Sequence, residues 1–329
     1  MEKSNQGCPL DNDCLGGFTG ERRVAVIMHR LNLVSIIIPN LHSPIVGQTL
    51  QSLEAQDYAG PFEIIVVGQD KYGQVREGGR VRAIVTPQPI SPAAARNLGI
   101  RSAQGEILVF IDSDCVASRD WLRRLLGHYA DPQVAVVGGG VTFPSDNYWT
   151  LCDNLATFHD YLSTAPAGVL EQLPSLNLSL RRAALEPVGF FDERYPCAAG
   201  EDADLTIRLR QQGYPLVFDP RARLTHLPQR RSASGVFKHA FNLGRFSVKV
   251  DPRYMHFLHT PRVLRSWLTA VLAAPVLAAG VVFRLLYLQV GWRYWHTLPL
   301  IYLAKLVWCA GAAQTLRAGG AFADQKRVP

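Results

Sequence analysis

The sequence predicts an α/β fold, a doubly wound layer that spans about residues 32–231, and two observations support this prediction. Short apolar runs rich in β-branched residues alternate with segments of helical length, as in a sheet that helices cover on both faces. The run Ile107–Ile111 is apolar at every position, which is typical of a strand buried on both sides in a parallel sheet. Such folds bind ligands beyond the carboxyl ends of their strands, so we expect a site at that edge.

The predicted elements follow one another with short connections. They are strands at 33–38, 62–67, 81–85, 107–111, 134–141 and 216–218, and helices at 44–56, from 92, at 119–130 and from about 201. We expect the first strand to stop at Pro39-Asn40, and Ser91 with Pro92 to open a helix as N-cap and first-turn residue. Gly138-Gly139-Gly140 indicates a turn at a strand end. No glycine-rich loop of a dehydrogenase or P-loop NTPase follows the first strand.

Composition and charge narrow the class of protein. The chain has 329 residues and 48% hydrophobic content, which excludes a disordered chain. Its net charge is +7, and Arg221 to Arg265 contains ten Lys or Arg against one acidic residue, which suits nucleic acid, an anionic membrane or phosphorylated substrates. The six cysteines form no CxxC pair, so we expect reduced thiols in a cytoplasmic compartment and no structural zinc.

Two carboxylates follow the strand 107–111. In an extended backbone residues i and i+2 point the same way, so Asp112 and Asp114 are predicted to converge on one point in space. Hard oxygen ligands of this kind suit a divalent cation that takes its other ligands from water and substrate phosphates. The alternative is an Asx-turn that closes the strand.

Several motifs, in their order and spacing, resemble the family-2 inverting glycosyltransferases. They are Ser35-Ile36-Ile37-Ile38-Pro39, Glu63–Val67, Ala95–Ile100, Gly105-Glu106, Phe110–Asp114, Asn177–Arg182, Val188–Glu193 and Gly200–Leu205, followed by Arg208-Leu209 and Gly213-Tyr214. The resemblance covers about Leu33 to His226. It implies a GT-A type, Rossmann-like domain that transfers a sugar from a nucleoside diphosphate.

The resemblance also implies roles for individual residues. Asp202 would be the catalytic base that takes the proton of the acceptor hydroxyl, with Asn177 and Glu201 on the acceptor side. Asp112, Asp114 and His226 would hold Mg²⁺ or Mn²⁺. The donor-binding residues would be Pro39, Asn40, Asp70, Arg96, Asn97, Asp112 and Ser113.

Each of these roles has a structural alternative. Glu201, Asp202 and Asp204 would also stabilise the dipole of a helix that starts there. Arg96 would be an ordinary helix-surface residue, and His226 a structural histidine. One feature departs from the family. The second strand ends in Gly68-Gln69-Asp70, without the adjacent carboxylates that hold the nucleotide base, so Asp70 would have to make that contact from a shifted position.

The segments outside the domain have different characters. Residues 1–31 form a polar N-terminal extension without a signal-peptide core, and 314–329 a C-terminal tail. Residues 232–265 read as a basic amphipathic interfacial segment, or as a helix packed on the domain. Residues 266–313 are predicted to form a hydrophobic membrane hairpin, in which 266–283 has 18 residues without charge and 298–313 contains Lys305. Two spans, one span with an interfacial partner, and a re-entrant hairpin stay open, because Arg284 and Arg293 flank the connection.

The sequence therefore predicts a metal-dependent glycosyltransferase at the cell inner membrane, with its catalytic domain in the cytoplasm. Its expected partners are a nucleoside-diphosphate sugar, a lipid-linked glycan or polysaccharide intermediate, and the membrane, but no nucleic acid. A non-catalytic scaffold that binds nucleotide-sugar or glycan is one alternative. A sugar-phosphate nucleotidyltransferase is the other, but the glycine-rich loop bearing Arg and Lys that it needs after the first strand is missing.

Overall fold

The computed structural model describes residues 33–144, 146–320 and 322. A mixed β-sheet forms the core of its N-terminal part. The predicted N-terminal extension, 1–31, and residues 323–329 of the predicted tail lie outside the described residues. The described strands are β1 (Val34–Leu41), β2 (Phe62–Gln69), β3 (Val81–Val85), β4 (Ile107–Ile111), β5 (Cys115–Ala117), β6 (Val136–Thr142), β7 (Gly168–Val169), β8 (Asn177–Arg181) and β9 (Leu216–His226). The described helices are α1 (Val46–Glu54), α2 (Pro92–Ser102), α3 (Trp121–Gly127), α4 (Tyr148–Phe158), α5 (Glu201–Gln211), α6 (Ala233–Arg245), α7 (Trp267–Leu272), α8 (Ala274–Tyr287), α9 (Val290–Arg293) and α10 (Leu298–Ala318).

The strand order is β3-β2-β1-β4-β8-β6-β9-β5, and β7 pairs with β9. The strands from β3 to β4 are parallel, as predicted, whereas β8 runs antiparallel to both β4 and β6. All five residues of β4 are buried, which confirms that both faces of the sheet are covered at its centre. The carboxyl ends of β1 and β4 therefore meet at one edge, next to the N-terminal ends of antiparallel β8.

Two predicted strand ends are wrong. β1 continues through Pro39 to Leu41, because β4 pairs only with Val34–Ile37 and leaves β1 without a neighbour on that side, where proline is tolerated. β9 continues from Phe218 through Asp219 and Pro220 to His226. This extension is what brings His226 alongside Cys115 of β5.

The glycine run at 138–140 lies inside β6 and does not form the predicted turn. The pairing of β6 with β9 shifts register between Gly139 and Val141. A β-carbon on Gly139 would lie 2.2 Å from the carbonyl oxygen of Ala222, so the irregular strand β9 needs glycine in its neighbour.

The first part of the basic amphipathic segment forms helix α6, which packs on the rest of the chain. Val236, Ala240 and Gly244 form the buried side of α6, which lies along α10. The backbones touch, since a β-carbon on Gly244 would lie 1.9 Å from the carbonyl oxygen of Trp308, and one on Gly311 would lie 2.1 Å from that of Phe241. For the apolar face of α6, these contacts favour the predicted packed helix over the interfacial segment.

The uncharged run 266–283 does not form one continuous helix. Helix α7 ends at Leu272 and α8 starts at Ala274, with Pro275 in its first turn. Within the described residues, the helical segment Trp295–Ala318 is long and apolar enough to cross a membrane, with 44% of its most apolar window buried inside the protein. A core helix of a soluble protein has the same properties, so the predicted hairpin stays a prediction.

The helices α7–α9 expose many large apolar side chains. The most exposed are Leu272, Val276, Phe283, Tyr287 and Trp292, together with Trp295 just after α9, and each has 68–84% of its surface accessible. Exposed apolar side chains concentrated in one region of the chain indicate an interaction site for a protein or a membrane.

Candidate active site

A cavity of about 540 Å³ lies at the carboxyl ends of β1 and β4. Most of the residues predicted from the sequence line it: Pro39, Asn40, Arg96, Asp112, Ser113, Asp114, Glu201, Asp202 and His226. Asn40 is held in place by two hydrogen bonds, since its amide donates to the Gln69 carbonyl and its Oδ1 accepts from the Ser43 N–H. The fold therefore brings side chains from both halves of the sheet to one cleft.

The two aspartates after β4 lie in a turn and not in an extended strand. The N–H of Cys115 donates to the carbonyl of Asp112 at 3.1 Å, and β4 has already ended at Ile111. The two carboxylates therefore do not share a direction, which corrects the prediction from strand alternation. Asp112 faces α2 and Asp114 faces β9. The carbonyl of Ser113 between them accepts hydrogen bonds from the hydroxyls of Ser43 and Thr49, which anchor the turn.

Arg96 is buried in the cleft wall, not exposed on a helix surface. Its guanidinium donates to Asp112 Oδ1 at 2.7 Å and to Glu201 Oε1 at 2.9 Å, and the residue is 1% exposed. Burial alone would lower the pKa of Arg96, but the carboxylates of Asp112, Glu201 and Asp202 raise it above the ordinary value. Arg96 thus connects the turn after β4 to the start of α5.

Helix α5 begins at the cleft, as predicted. Its N-cap Gly200 has φ of 92°, and a β-carbon there would lie 2.2 Å from the carbonyl oxygen of Phe246, so only glycine fits. Burial, reinforced by the charge of Asp202, raises the pKa of Glu201 to about 7 against the opposing effect of Arg96. Among the described residues, Glu201 Oε2 has no hydrogen-bond partner.

Asp202 lies beside Glu201 and keeps access to the cavity. Its Oδ2 accepts a hydrogen bond from the Ser175 N–H at 3.1 Å, and its Oδ1 accepts from the Ala203 N–H at 2.8 Å. Burial raises the pKa of Asp202 above its usual value, although Arg96 and the two N–H donors oppose this effect. Asp204, in contrast, faces away from the cleft, where Tyr254 and Arg208 hold its carboxylate.

Asp114, Cys115 and His226 form a group whose ligand atoms all lie within 4.8 Å of one another. His226 Nδ1 lies 2.7 Å from Asn154 Oδ1, an acceptor, so the ring proton is assigned to Nδ1. The unprotonated Nε2 then faces Asp114 Oδ1 at 3.6 Å. Burial raises the pKa of the Cys115 thiol well above its ordinary value, so this side chain stays protonated and is a poor ligand. Asp114 and His226 therefore fit a divalent cation, with Asn154 fixing the histidine tautomer.

Helix α4 supplies a supporting shell that the sequence reading missed. Besides Asn154, it carries Asp153, whose carboxylate accepts hydrogen bonds from Arg230 Nε at 2.5 Å and His239 Nδ1 at 2.7 Å. Burial opposes ionisation of Asp153, but His239 and Arg230 lower its pKa to about 2. Arg230 is thereby fixed in the cleft wall near Asp114. The signal in the sequence was a pair of adjacent polar residues in an otherwise mostly apolar helix.

Three predicted site residues do not line the cavity. Asn177 is fully buried in the sheet, where its amide donates to the carbonyls of Gly140 and Ala222 and accepts from Trp121 Nε1, so its predicted acceptor-side role is corrected. Its two N–H groups and one lone pair of its oxygen are used, and its complete burial keeps a ligand away from the rest.

Asn97 and Asp70 also have structural partners. The amide of Asn97 donates to the carbonyl of Phe191 and to Glu193 Oε1, and its Oδ1 accepts from the Phe191 N–H. Asp70 accepts hydrogen bonds from the N–H groups of Tyr72 and Val75, which closes the loop after β2. Both residues hold loops, and neither lies in the cleft wall, so the predicted donor contacts are corrected for Asn97 and Asp70.

Sequence comparisons identify two overlapping family matches. The family described as Glycosyl transferase family 2 matches residues 35–159, and the family described as Glycosyl transferase family group 2 matches residues 107–311. The second match includes the active-site cleft from the turn after β4 onward, as well as the helices α6–α9 and most of α10.

Two curated relatives and one solved structure are similar to this chain. A Pre-mycofactocin glycosyltransferase of Mycobacterium tuberculosis is 32% identical over 161 residues, which cover 47% of this chain but only 34% of that protein. The Glycosyltransferase AglE of Haloferax volcanii is 26% identical over 67% of this chain and 74% of its own length. The mannosyltransferase PcManGT of Pyrobaculum calidifontis, solved with GDP-Man and Mn²⁺, is 20% identical, with a TM-score of 0.56 over 84% of this chain and 86% of that chain.

Proposed function

The chain belongs to the family-2 glycosyltransferases, and on this premise we propose that it moves a sugar, with inversion, from a nucleoside-diphosphate donor to a membrane-proximal acceptor. One observation carries this proposal. A single cleft contains two side chains of the type that hold a divalent cation, Asp114 and His226, and a carboxylate, Asp202, that is suited to act as a base. The buried Arg96 pairs with Asp112 and Glu201, the sequence neighbours of this site.

The donor end of the cleft would lie around the turn after β4. Asp114 and His226 would hold Mg²⁺ or Mn²⁺, with Asp112 on the opposite side of the turn. A cation there would neutralise the charge that develops on the leaving diphosphate. Arg230, fixed by Asp153, adds a positive group to the same wall. Pro39 and Asn40, at the end of β1, would border the nucleoside.

Asp202 would take the proton of the attacking hydroxyl. Each of its two oxygens accepts one backbone hydrogen bond, which orients the carboxylate. The remaining lone pairs are left for the hydroxyl of the acceptor substrate. A base works best when its pKa approaches the working pH, and burial moves the pKa of Asp202 in that direction. Glu201 is bound to Arg96 beside it, and this contact would hold the start of α5 against the donor turn.

The exposed apolar surface of α7–α9 supports attachment to a membrane. Trp292 and Trp295, each 68% exposed, are of the residue type enriched at lipid headgroups, and Arg293 lies between them in the sequence. We infer that this surface lies on or in the cytoplasmic leaflet of the inner membrane. The acceptor would then be a lipid-linked glycan or polysaccharide intermediate that reaches the cleft from the bilayer.

A panel of nucleotide-sugars tests this function. Purified full-length protein is incubated with each donor and Mn²⁺, and release of the nucleoside diphosphate is measured. We expect turnover of one donor, and its loss after treatment with a chelator and recovery on addition of Mn²⁺. Full activity in the chelated protein would rule out the metal, and no turnover of any donor would favour the binding scaffold.

A further inference from the structure

A second cavity, of about 270 Å³, adjoins the active-site cleft. It lies between α4, the N-terminus of α5 and the helices α6, α8 and α10. Both cavities share the residues Thr157, Phe158, Gly200, Asp202 and Leu243 in their walls. A molecule in the second cavity therefore reaches the same carboxylate, Asp202, as a donor in the first.

The second cavity is lined by two lysines whose positive charges have no acidic partner among the described residues. Lys249 and Lys305 both line it, and for their ammonium groups no hydrogen bond or ion pair is found within the described part of the chain. The acidic side chains nearby are already used, since Asp153 pairs with Arg230 and His239, and Asp160 pairs with Arg284. Apart from Asp202, the unpaired charges of this wall are thus positive.

The ring of Trp308 holds the side chain of Lys305 in position. Its Nζ lies 3.4 Å from the centre of the Trp308 ring, which stabilises the cation and restricts the side chain. The rest of the α10 wall is apolar, with Ile301 and Ala304. A half-buried ammonium in such surroundings is desolvated without a compensating anion, and a ligand with a negative group would supply one.

His159 adds a further polar group to this cavity. Its Nδ1 is buried and has no hydrogen-bond partner among the described residues. Burial lowers the pKa of His159, so the ring is neutral at pH 7 and can hydrogen-bond to a hydroxyl or a phosphate oxygen.

We propose that the second cavity is the acceptor site and that Lys305, with Lys249, binds a phosphoryl group of the acceptor. This inference rests on the proposed transferase function and names the chemical class of its acceptor as an amphiphilic phosphate ester. The apolar lining from α8 and α10 takes the hydrocarbon part, and Asp202 receives the hydroxyl to be glycosylated. The cavity joins the cleft to the helices that carry the exposed apolar surface.

Equilibrium binding to purified full-length protein tests the site without any turnover. The probes are hexyl phosphate, hexanoate and inorganic phosphate. The variants are Lys305→Met, which keeps most of the length of the side chain, and Lys305→Arg, which keeps its charge. The control is Lys238→Met, which removes a charge from exposed Lys238 on α6, outside both cavities. We expect wild type and Lys238→Met to bind hexyl phosphate more tightly than either other probe. Lys305→Met should bind it about tenfold or more weakly, the scale of one charge-assisted contact.

The outcomes separate this site from the transferase function. Equal affinity of wild type and Lys305→Met for hexyl phosphate would overturn the phosphate site, whether or not a donor is turned over. Stronger binding of hexanoate would assign a carboxylate acceptor, and stronger binding of inorganic phosphate a free anion; either result rejects the phosphate ester. If Lys305→Met does not fold, retained binding in Lys305→Arg together with loss in Lys249→Met supports the proposal, and retained binding in Lys249→Met opposes it. Lysine-dependent binding in a protein that hydrolyses no donor would keep the anion site and reject the transferase.

Discussion

The α/β layer and the C-terminal helices use apolar residues in opposite ways. In the layer, strand β4 is buried at every position, and the charged groups at its end are paired with one another. In the helices α7–α9, Phe283 and Tyr287 are 70% and 84% exposed, while Lys305 on α10 lacks an ionic partner in the described structure. The α/β layer thus buries its apolar residues within the chain. The helices α7–α9 leave apolar surface that a partner or a membrane would cover, so we assign chemistry to the layer and attachment to these helices.

The largest effect should come from the base in the α/β layer. Asp202→Asn keeps the size of the side chain and removes the proton acceptor, so the turnover rate should fall by about 10²-fold to 10⁴-fold. Donor affinity should barely change, because the proposed cation ligands, Asp114 and His226, lie elsewhere in the cleft. Steady-state kinetics together with donor binding measure the two quantities.

Asp57→Asn is the matched control for this variant. Asp57 pairs with Arg123 away from the cleft, so its removal should leave turnover unchanged. Near-normal turnover in Asp202→Asn would reject the base and direct attention to Glu201. Equal losses of folding stability and donor affinity would instead assign Asp202 a role as helix cap.

A smaller effect is expected from the shell behind the cation pair. Asn154→Ala removes the acceptor that fixes the tautomer of His226, and loss of such an outer partner costs about 10-fold to 100-fold in metal affinity. Mn²⁺ titration followed by donor turnover measures this change. Thr150→Ala on the same helix, whose hydroxyl bonds to the carbonyl of Arg230, tests for a general loss of α4 packing. An unchanged Mn²⁺ requirement in Asn154→Ala would reject the role of Asn154 in supporting a cation ligand.

The next effect concerns the helical region alone. Replacing Phe283, Trp292 and Trp295 together by Ser removes exposed apolar area, and at about 25 cal/mol per Å² we expect binding to anionic vesicles to weaken at least tenfold. Vesicle co-sedimentation measures this, with donor turnover in detergent unchanged. Tyr72→Ser, an exposed aromatic of the α/β layer, should not weaken binding. Equal vesicle binding by wild type and the triple variant would show that these side chains do not attach the protein to the membrane. Resistance of the wild-type protein to a carbonate wash would indicate a true span.

The smallest effect is a change in the pH dependence of stability. The pKa of Glu201 is about 7 in the folded protein, above its ordinary value of 4.5, so its contribution to stability is fully present below about pH 4.5 and is lost as pH rises to about 7. Glu201→Gln cannot ionise. Its unfolding free energy should therefore vary less with pH in this window than that of wild type, measured by denaturant unfolding at several pH values. The same slope in both proteins would show that Glu201 is not buried as described.

Much of the α/β layer could be predicted because its signals are local. The family and the GT-A type fold class are confirmed, and Ser91 and Pro92 cap and open α2 as predicted. The irregular pairing of β6 and β9 could not be predicted, because it depends on the approach of residues about 80 positions apart along the chain.

The site was predicted less completely than the fold. The sequence identifies polar residues at strand ends, but only the tertiary structure decides which of them face the cleft. Asn97 looks the same in the sequence as a ligand-binding residue, yet its partners Phe191 and Glu193 lie more than 90 residues away. Asp153 and Asn154 were missed for the same reason, because their partners come from β9, α6 and the connection between them.

The contact between α6 and α10 has a mechanical consequence. At Gly244 and Gly311 there is no room for even a methyl group between the two backbones, so sliding one helix along the other would drive main chain into main chain. The two helices therefore behave as one rigid unit. A molecule that displaces one of these helices must therefore displace the other with it.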